Sequence, residues 1–357
     1  MAYHFFTRQA NVSISAADAG AKLLAFLAER FPYHSESQWR ELVASGRVSC
    51  NGNAVSSDYV LCLGDSLQYL PLPVDEPAID DCVEVLYDSP ELLVLNKPGN
   101  LPCHPAGCFF NHTLWALLKT REREALPEPL RQLAAIAQPH FVNRLDRETS
   151  GIVLVAKESR AAKRYAKALQ RPQSRKRYLV MVEGVFPDNL SADGWLSADG
   201  QSRVRKKRRF TPVPPPADLG AETAHTEFRC LLRSQSLSLL SAELFTGRTH
   251  QIRATLASVG YPVVGDKLYG VDDEMYLRFI ADELSVDDRR RLRLPRQALH
   301  AWTISLEGGP GGLQAFCAPM PADMRQLVSA ANMAPVPGAG TGNAADVFFW
   351  AGDGAQP

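Results

Sequence analysis

The sequence predicts an α+β protein in two parts, a small N-terminal domain led by helices and a larger domain built on a mixed, mainly antiparallel sheet. Three observations predict it. Two helical apolar patterns stand close together before residue 50, and β-branched or alternating runs dominate after residue 83. Between them lies a Pro- and Asp-containing stretch, PLPVDEPAIDDC, of the kind that links domains.

Taken in order, residues 1–20 read as an N-terminal extension. From Ala21 to Phe31 apolar side chains recur at Leu23, Leu24, Leu27, Ala28 and Phe31, the spacing of one helix face. Ser35 with Gln38 three residues on is a capping-box pattern; Trp39, Leu42 and Val43 follow as an apolar face, and Gly46 stands where a helix ends. Val48 to Cys50, the Asn51-Gly52 turn, Val60 to Leu63, the Gly64-Asp65 turn and Leu67 to Leu70 read as short strands that complete a domain over 21–72. Residues 73–82 are the linker. The larger domain, 83–330, opens with the strands VEVLYD and LLVLNKP, a Gly/Pro/His-rich loop and a helix over Thr113 to Lys119. Strands at Gly151 to Ala156 and Tyr178 to Val182 flank the helix SRAAKRYAKALQ, and alternation returns at Thr226 to Leu232 and Leu237 to Leu244. Residues 331–357, rich in Gly, Ala and Pro with Phe348, Phe349 and Trp350 near the end, are expected to form a mobile tail.

Composition narrows the class. Hydrophobic residues at 45% and charged residues at 22% exclude wholesale disorder, a collagen repeat and a disulfide scaffold. No run approaches the roughly 18 apolar residues of a membrane span, and the N-terminus lacks a secretory signal, so the expectation is a cytoplasmic protein with no membrane association. Seven scattered cysteines fit reduced thiols. No feature calls for an obligatory protein partner, and a monomer is expected.

Lys plus Arg balance Asp plus Glu at 39 each, yet two basic clusters break the balance locally. Arg160, Lys163, Arg164, Lys167, Arg171, Arg175, Lys176 and Arg177 occur with no acid among them. Arg203, Arg205, Lys206, Lys207, Arg208 and Arg209 fall within seven positions. Such clusters give salt-dependent affinity for nucleic acid; the bland alternative is a solvated helix face and a basic loop.

Three segments carry chemistry. In FVNRLDRETSGIVLVAK a turn bearing Arg144 and Asp146 runs through Thr149, Ser150 and Gly151 into an apolar strand, which holds the carboxylate at a strand edge facing a cleft. ELFTGRTHQIRATLASVGYPVVGDKLYG places Arg248, His250 and Arg253 at the start of a helix whose face is Ile252, Leu256 and Val259. RKRYLVMVEG puts Tyr178 at the mouth of a strand. Singly, each has a plain structural explanation: a surface ion pair, a helix N-terminus, a core aromatic.

Together, and in this order, the segments resemble the RluA-type family of RNA pseudouridine synthases, whose pattern is "HRLD-x-x-TSG", a strand tyrosine before a Gly, and "GRTHQIR…G-x-P-x-x-GD-x-x-Y". The resemblance spans about residues 83–330 and includes QALHAW, Gln297 to Trp302. Residues 21–72 resemble an S4 RNA-binding domain through LVASGRVSCNGNAV and LGDSL. Three positions depart from the pattern. Asn143 stands where the family has His, Ala254-Thr255 where it has Val-His, and SESQW where a Ser-Arg start is usual in the S4 helix.

The resemblance implies an RNA substrate, ribosomal or transfer RNA, and isomerisation of uridine to pseudouridine with no cofactor and no metal. It implies Asp146 as the catalytic carboxylate, Arg253 as the cation keeping it ionised, and Tyr178 against the uracil ring. Because a stacked base is out of reach, the uridine is extruded, and Arg144 resembles the residue that fills the vacated space. Phosphate contacts are expected from Arg144, Arg175, Lys176, Arg177, Arg203, Arg205, Lys206, Lys207, Arg208, Arg209 and Arg248. His250 is read as structural. Since Arg40 and Arg47 of the S4-like part face Glu36 and Glu41, the larger domain is expected to supply most of the affinity.

Competing readings are weaker. The string GDSL at 64–67 offers Ser66 as a hydrolase nucleophile, but no His-containing block suits a triad. Cys103, His104, Cys108 and His112 lack the paired spacing of a zinc site. A non-catalytic RNA-binding or chaperone-like protein with a decayed site is suggested by Asn143 and opposed by the intact Arg144, Asp146, Tyr178 and Arg253.

Overall fold

The computed structural model describes residues 3–216, 220–270, 272, 274–309 and 312–337. The chain divides into two compact units, residues 1–77 with Ala106–Asn111, and residues 78–105 with the chain from His112 onward.

The first unit contains β1 (Ala10–Ser13), α1 (Leu23–Arg30), α2 (Glu36–Ala44), β2 (Val48–Cys50), β3 (Asn53–Ala54) and β4 (Ser66–Tyr69). Its sheet is ordered β1-β4-β2-β3. The capping box forms as expected: the Gln38 amide donates to Ser35 Oγ at 3.3 Å, and the Ser35 amide donates to Gln38 Oε1 at 2.8 Å. Leu23, Leu27, Trp39, Leu42, Val48 and Leu67 form one core. Three expectations need correction. Residues 1–20 are not a mere extension, since β1 pairs with β4 along its whole length and Ile14 is buried. Val60 to Leu63 is not a strand; Val60 makes a single bridge to Lys22. Here the Asp65 carboxylate curls the chain by accepting from the Cys62 amide, the Tyr59 hydroxyl and Asn51 Nδ2. The loop Ala106–Asn111, expected in the larger domain, clusters with the first unit. Glu76 accepts the Phe110 and Asn111 amides at 2.7 and 2.8 Å, and the Asn111 side chain pairs both ways with the Phe6 backbone. Ser66 of the GDSL string opens β4, its amide donating to Asn51.

The second unit contains β5 (Glu84–Asp88), β6 (Leu92–Lys97), α3 (Leu114–Lys119), β7 (His140–Phe141), β8 (Ser150–Ala156), α4 (Ser159–Leu169), β9 (Arg175–Glu183), β10 (Asn189–Ala198), β11 (Arg208–Thr211), β12 (Glu222–Arg233), β13 (Leu237–Leu244), α5 (Gln251–Ser258), α6 (Met275–Ile280), α7 (Val286–Leu292), β14 (Leu299–Gly309), β15 (Gly312–Cys317), α8 (Ala322–Ala330) and β16 (Ala334–Pro335). The main path of its sheet runs β11-β10-β12-β13-β9-β14-β8-β6-β5. Along this path β8 and β14 are parallel and the other neighbours antiparallel, the mixed sheet that was expected. Side-chain alternation along β9 explains the layers. Val180 and Val182 join Ile252 and Leu256 of α5, whereas Leu179 and Met181 join Met324 and Val328 of α8. Every residue of β8 is buried, and α4 lays Ala161 and Tyr165 on Ile152 and Leu154.

The expected tail starts later than residue 331. β16 pairs with β12 and Val336 is 6% exposed, so the chain stays packed to that point because Met333 and Val336 fill the sheet's flanks. Residues 338–357, with Phe348, Phe349 and Trp350, lie outside the described residues. Among the described residues no helix is long and apolar enough to cross a membrane.

One rung positions the chemistry: Gly151 of β8 lies opposite Ala301 of β14, and Ala301 opposite Tyr178 of β9. A Cβ on Gly151, whose φ is +108°, would stand 2.2 Å from the Ala301 carbonyl oxygen, so only glycine admits this approach. Next to it, fully buried His300 accepts from Ser150 Oγ through Nδ1 at 2.9 Å and donates through Nε2 to the Ala318 carbonyl at 3.2 Å. Burial depresses its pKa to about 4. The unfolded chain therefore takes up a proton first, and the His300 contribution to stability, intact above pH about 6.5, drains as the pH falls towards 4. We expect the stability gap between wild type and His300→Gln, measured by urea unfolding, to shrink by up to about 3 kcal/mol across that window. A gap constant with pH would refute the neutral, buried imidazole.

Candidate active site

Asp146 sits in the turn that feeds β8, closed by the Thr149 amide donating to the Asp146 carbonyl at 3.1 Å. The segment after β6 clamps this turn from outside. The Leu101 amide and Lys97 Nζ both donate to the Arg147 carbonyl, at 3.0 and 3.2 Å, and Cys103 Sγ donates to the Leu145 carbonyl at 3.5 Å. Lys97 is fully buried, a site that lowers its pKa to about 8, and its second hydrogen bond goes to the Pro98 carbonyl.

The carboxylate meets Arg253, the third residue of α5. Arg253 Nη1 lies 2.7 Å from Asp146 Oδ2, while Nε and Nη2 grip Asp266 at 2.6 and 2.9 Å. The Leu268 and Tyr269 amides hold Asp266 in turn, at 2.9 and 3.0 Å. The Asp146 side chain is 34% exposed, against 9% for Arg253 and 0% for Asp266, so this chain of charge runs from the interior to the surface at Asp146. Burial pushes the Asp146 carboxyl up, but the Arg253 charge and the hydrogen bonds from Arg253 and Gln297 together hold it below the ordinary carboxylate value. Gln297 Nε2 stands 3.4 Å from Asp146 Oδ2 and also donates to Thr149 Oγ1.

His250 caps α5 in the left-handed region, φ +58°, with Nδ1 2.9 Å from the Tyr269 hydroxyl and Nε2 4.0 Å from Asp146 Oδ1. Burial, then the Arg253 charge, lowers its pKa to about 4, so at neutral pH it is an uncharged hydrogen-bonding neighbour. Half-buried Tyr178 stays a phenol, because burial, with the Asp146 charge adding, raises it above its ordinary value. The structure thus brings Asp146, Arg253 and Tyr178 to one end of β8 and β9. It adds Asp266 and Gln297, which the sequence reading passed over inside VVGDKLYG and QALHAW, and Lys97 at the end of an apolar strand.

The expected phosphate contacts fare differently. Arg144 is exposed on the turn that carries Asp146. Arg175 and Arg177 both bind Glu243, each at 2.8 Å, and Lys176 is half-buried. Arg203 pairs with Glu274 at 2.9 Å, Lys206 lies over the Tyr276 ring, Lys207 is buried, and Glu222 takes both Arg208 and Arg248. Arg205 and Arg209 remain exposed. Acids distant in sequence thus pair with Arg203 and Arg208 of the six, while Arg205, Lys206 and Arg209 stay exposed with no acid in contact among the described residues. Of the residues weighed as a zinc site, Cys103 is bound to Leu145, the His104 ring packs on Phe141, and Cys108 is exposed.

Comparison with known proteins gives a consistent result. The RNA pseudouridylate synthase family model matches residues 91–258. The chain is 32% identical over 327 residues to a ribosomal large subunit pseudouridine synthase D of Xanthomonas campestris pv. campestris, covering 90% of this chain and 92% of that protein. It is 29% identical over 322 residues to the protein of the same name from Nitrosomonas europaea, covering 89% and 86%. Among solved structures, human RNA pseudouridylate synthase domain containing 4 superposes with a TM-score of 0.52 at 21% identity, over 70% of this chain and 93% of that one, a likeness of fold.

The geometry makes the charge state of Asp146 depend on Arg253. In Arg253→Met, burial loses its strongest opponent, and the Asp146 carboxyl should titrate higher than in the wild type by NMR. Asp266 is then buried without its cation, so a stability loss of about 3–5 kcal/mol is expected from urea unfolding. Arg253→Lys should keep most of the ionisation. An Asp146 titration unmoved by Arg253→Met would show that Arg253 is not its partner.

Proposed function

Because the chain belongs to the RNA pseudouridylate synthase family and is an RNA pseudouridine synthase, we propose that Asp146 is the carboxylate with which it isomerises a uridine of large-subunit ribosomal RNA in the cytoplasm. The observation that carries the proposal is the 2.7 Å contact between Asp146 and an Arg253 locked by Asp266, which keeps a partly exposed carboxylate charged at the mouth of a buried network.

Pseudouridylation breaks the N1–C1′ bond, turns the base and joins C5 to C1′; the proton lost from C5 is balanced by one gained at N1, and no electrons leave the system. The reaction therefore asks for a fixed anion and a held base. Asp146 supplies the anion, as nucleophile or as base towards the ribose. Tyr178, a neutral phenol on β9, one strand beyond β14 from β8, offers a flat surface for the uracil. Arg144 fills the gap left by the extruded base in this reading, which its exposure two residues before Asp146 supports. The ribosomal target is supported by the names of the relatives above, and an S4-like RNA-binding role for the first unit by its two helices and its Asn-Gly and Gly-Asp turns.

The alternative of a decayed site rested on Asn143. Its side chain donates to the Ile152 carbonyl at 3.0 Å and accepts from the Leu154 amide at 2.8 Å. The departure from His thus serves the flank of β8, which supports an intact site.

Asp146→Asn should lower pseudouridine formation at least ~10³-fold while leaving RNA affinity within about threefold, since the amide keeps the shape and loses the charge. The assay maps pseudouridines in deproteinised large-subunit RNA from cells lacking the protein, after incubation with each purified variant. Turnover by Asp146→Asn near the wild-type rate would overturn the assignment.

A further inference from the structure

Of the eight cations between Arg160 and Arg177, Arg175 and Arg177 on β9 are paired with Glu243, whereas three of the four on α4 have no carboxylate in contact among the described residues. At 3.6 residues per turn, Arg160, Lys163, Arg164 and Lys167 fall along one side of α4, flanking the face of buried Ala161, Tyr165 and Ala168. Arg160, Lys163 and Lys167 are exposed. Two of the nearby acids are engaged: Glu91 binds Arg164, and Asp88 binds Lys157 at 2.5 Å. Glu158 stands exposed at the N-cap position without a side-chain cap hydrogen bond, a single acid beside four basic residues of the helix, and just past the helix Arg171 reaches the Glu307 carbonyl. Among the described residues Lys163 and Lys167 enter no ion pair, and Arg160 acts on Glu91 only through space.

This stripe is remote from the chemistry. β8 separates it from the catalytic turn, and its seven residues at about 3.3 Å each make that separation about 20 Å. Charges exposed to physiological salt are screened over roughly 8–10 Å, so the stripe does not tune Asp146. The helix has buried its apolar side on the sheet, which leaves nothing to insert into a lipid surface. Lys163 and Lys167 stand one turn apart, about 6 Å along the axis, a step suited to neighbouring phosphates of one strand.

We propose that Arg160, Lys163 and Lys167 form a second RNA contact, a phosphate-binding stripe that grips a part of the substrate about 20 Å from the target uridine. The stripe makes the enzyme favour an extended RNA over a minimal target. This rests on RNA being the substrate, which the wild-type turnover in the same experiment checks separately.

The test uses the full chain with Arg160→Gln, Lys163→Gln and Lys167→Gln combined, all exposed positions on a helix that tolerates Gln. The probes are deproteinised large-subunit ribosomal RNA and a short stem-loop holding only the mapped uridine. On the long RNA the slope of log affinity against log salt should fall by roughly 2, at about 0.7–0.9 per phosphate, and KM should rise. On the stem-loop, kcat and KM should stay at wild-type values. Lys163→Arg with Lys167→Arg, which keeps the charge, should keep the slope. An unchanged slope and KM on the long RNA would overturn the proposal, as would an equal loss on the stem-loop, which would put the stripe in the catalytic cleft. Loss of wild-type turnover on both RNAs would instead count against the assigned function.

Discussion

The Arg253 guanidinium, shared between two carboxylates, is the constraint on which the site depends. Removing three charges from water costs several kcal/mol per ion, and the cost is offset only where every donor and acceptor is met. Asp266 satisfies that demand twice, with both oxygens on the Arg253 fork and one also on the Leu268 and Tyr269 amides. The fork cannot turn without leaving Asp266 buried and unpaired, so its remaining edge is aimed at Asp146. The register of α5, the turn after it and the turn before β8 must therefore agree before the outer carboxylate has a partner at all.

Much of this was legible in the sequence, and the parts that were not share a cause. Periodicity placed α1, α2, β6, β8, α4, β9 and α5 within a few residues, because the helices bury one face and the strands are apolar runs buried on both faces. Asp146, Tyr178 and Arg253 stood out because they sit in long, ordered motifs. What periodicity could not supply was pairing between distant segments. Asp266 and Gln297 lay inside quoted motifs without a role, and each joins the site only once α5 and β14 come together beside the catalytic turn. The N-terminal residues looked like an extension because a four-residue edge strand such as β1 has too little pattern to be recognised without its partner β4.

Charge counting along the chain is incomplete for the same reason. The cluster from Arg203 to Arg209 is wholly basic along the chain, yet Glu222 and Glu274 come from elsewhere to meet it. Linear density measures what a segment carries, whereas a ligand meets what is left after the fold has paired it. On α4, by contrast, only Arg164 is met by an acid among the described residues, so Arg160, Lys163 and Lys167 keep their charge exposed.

The loop Ala106–Asn111 alters what it means to call this protein modular. Although chain of the second unit precedes and follows it, its amides depend on Glu76 and its one buried amide side chain on Phe6. Cutting the chain at residue 77 would strand those donors, and exchanging the N-terminal unit with that of a relative would graft in a loop evolved for a different host. The inheritable piece is thus discontinuous. Recombination between relatives should succeed only where both stretches travel together, which makes the pair of segments, and not the continuous N-terminal stretch, the unit that can be exchanged.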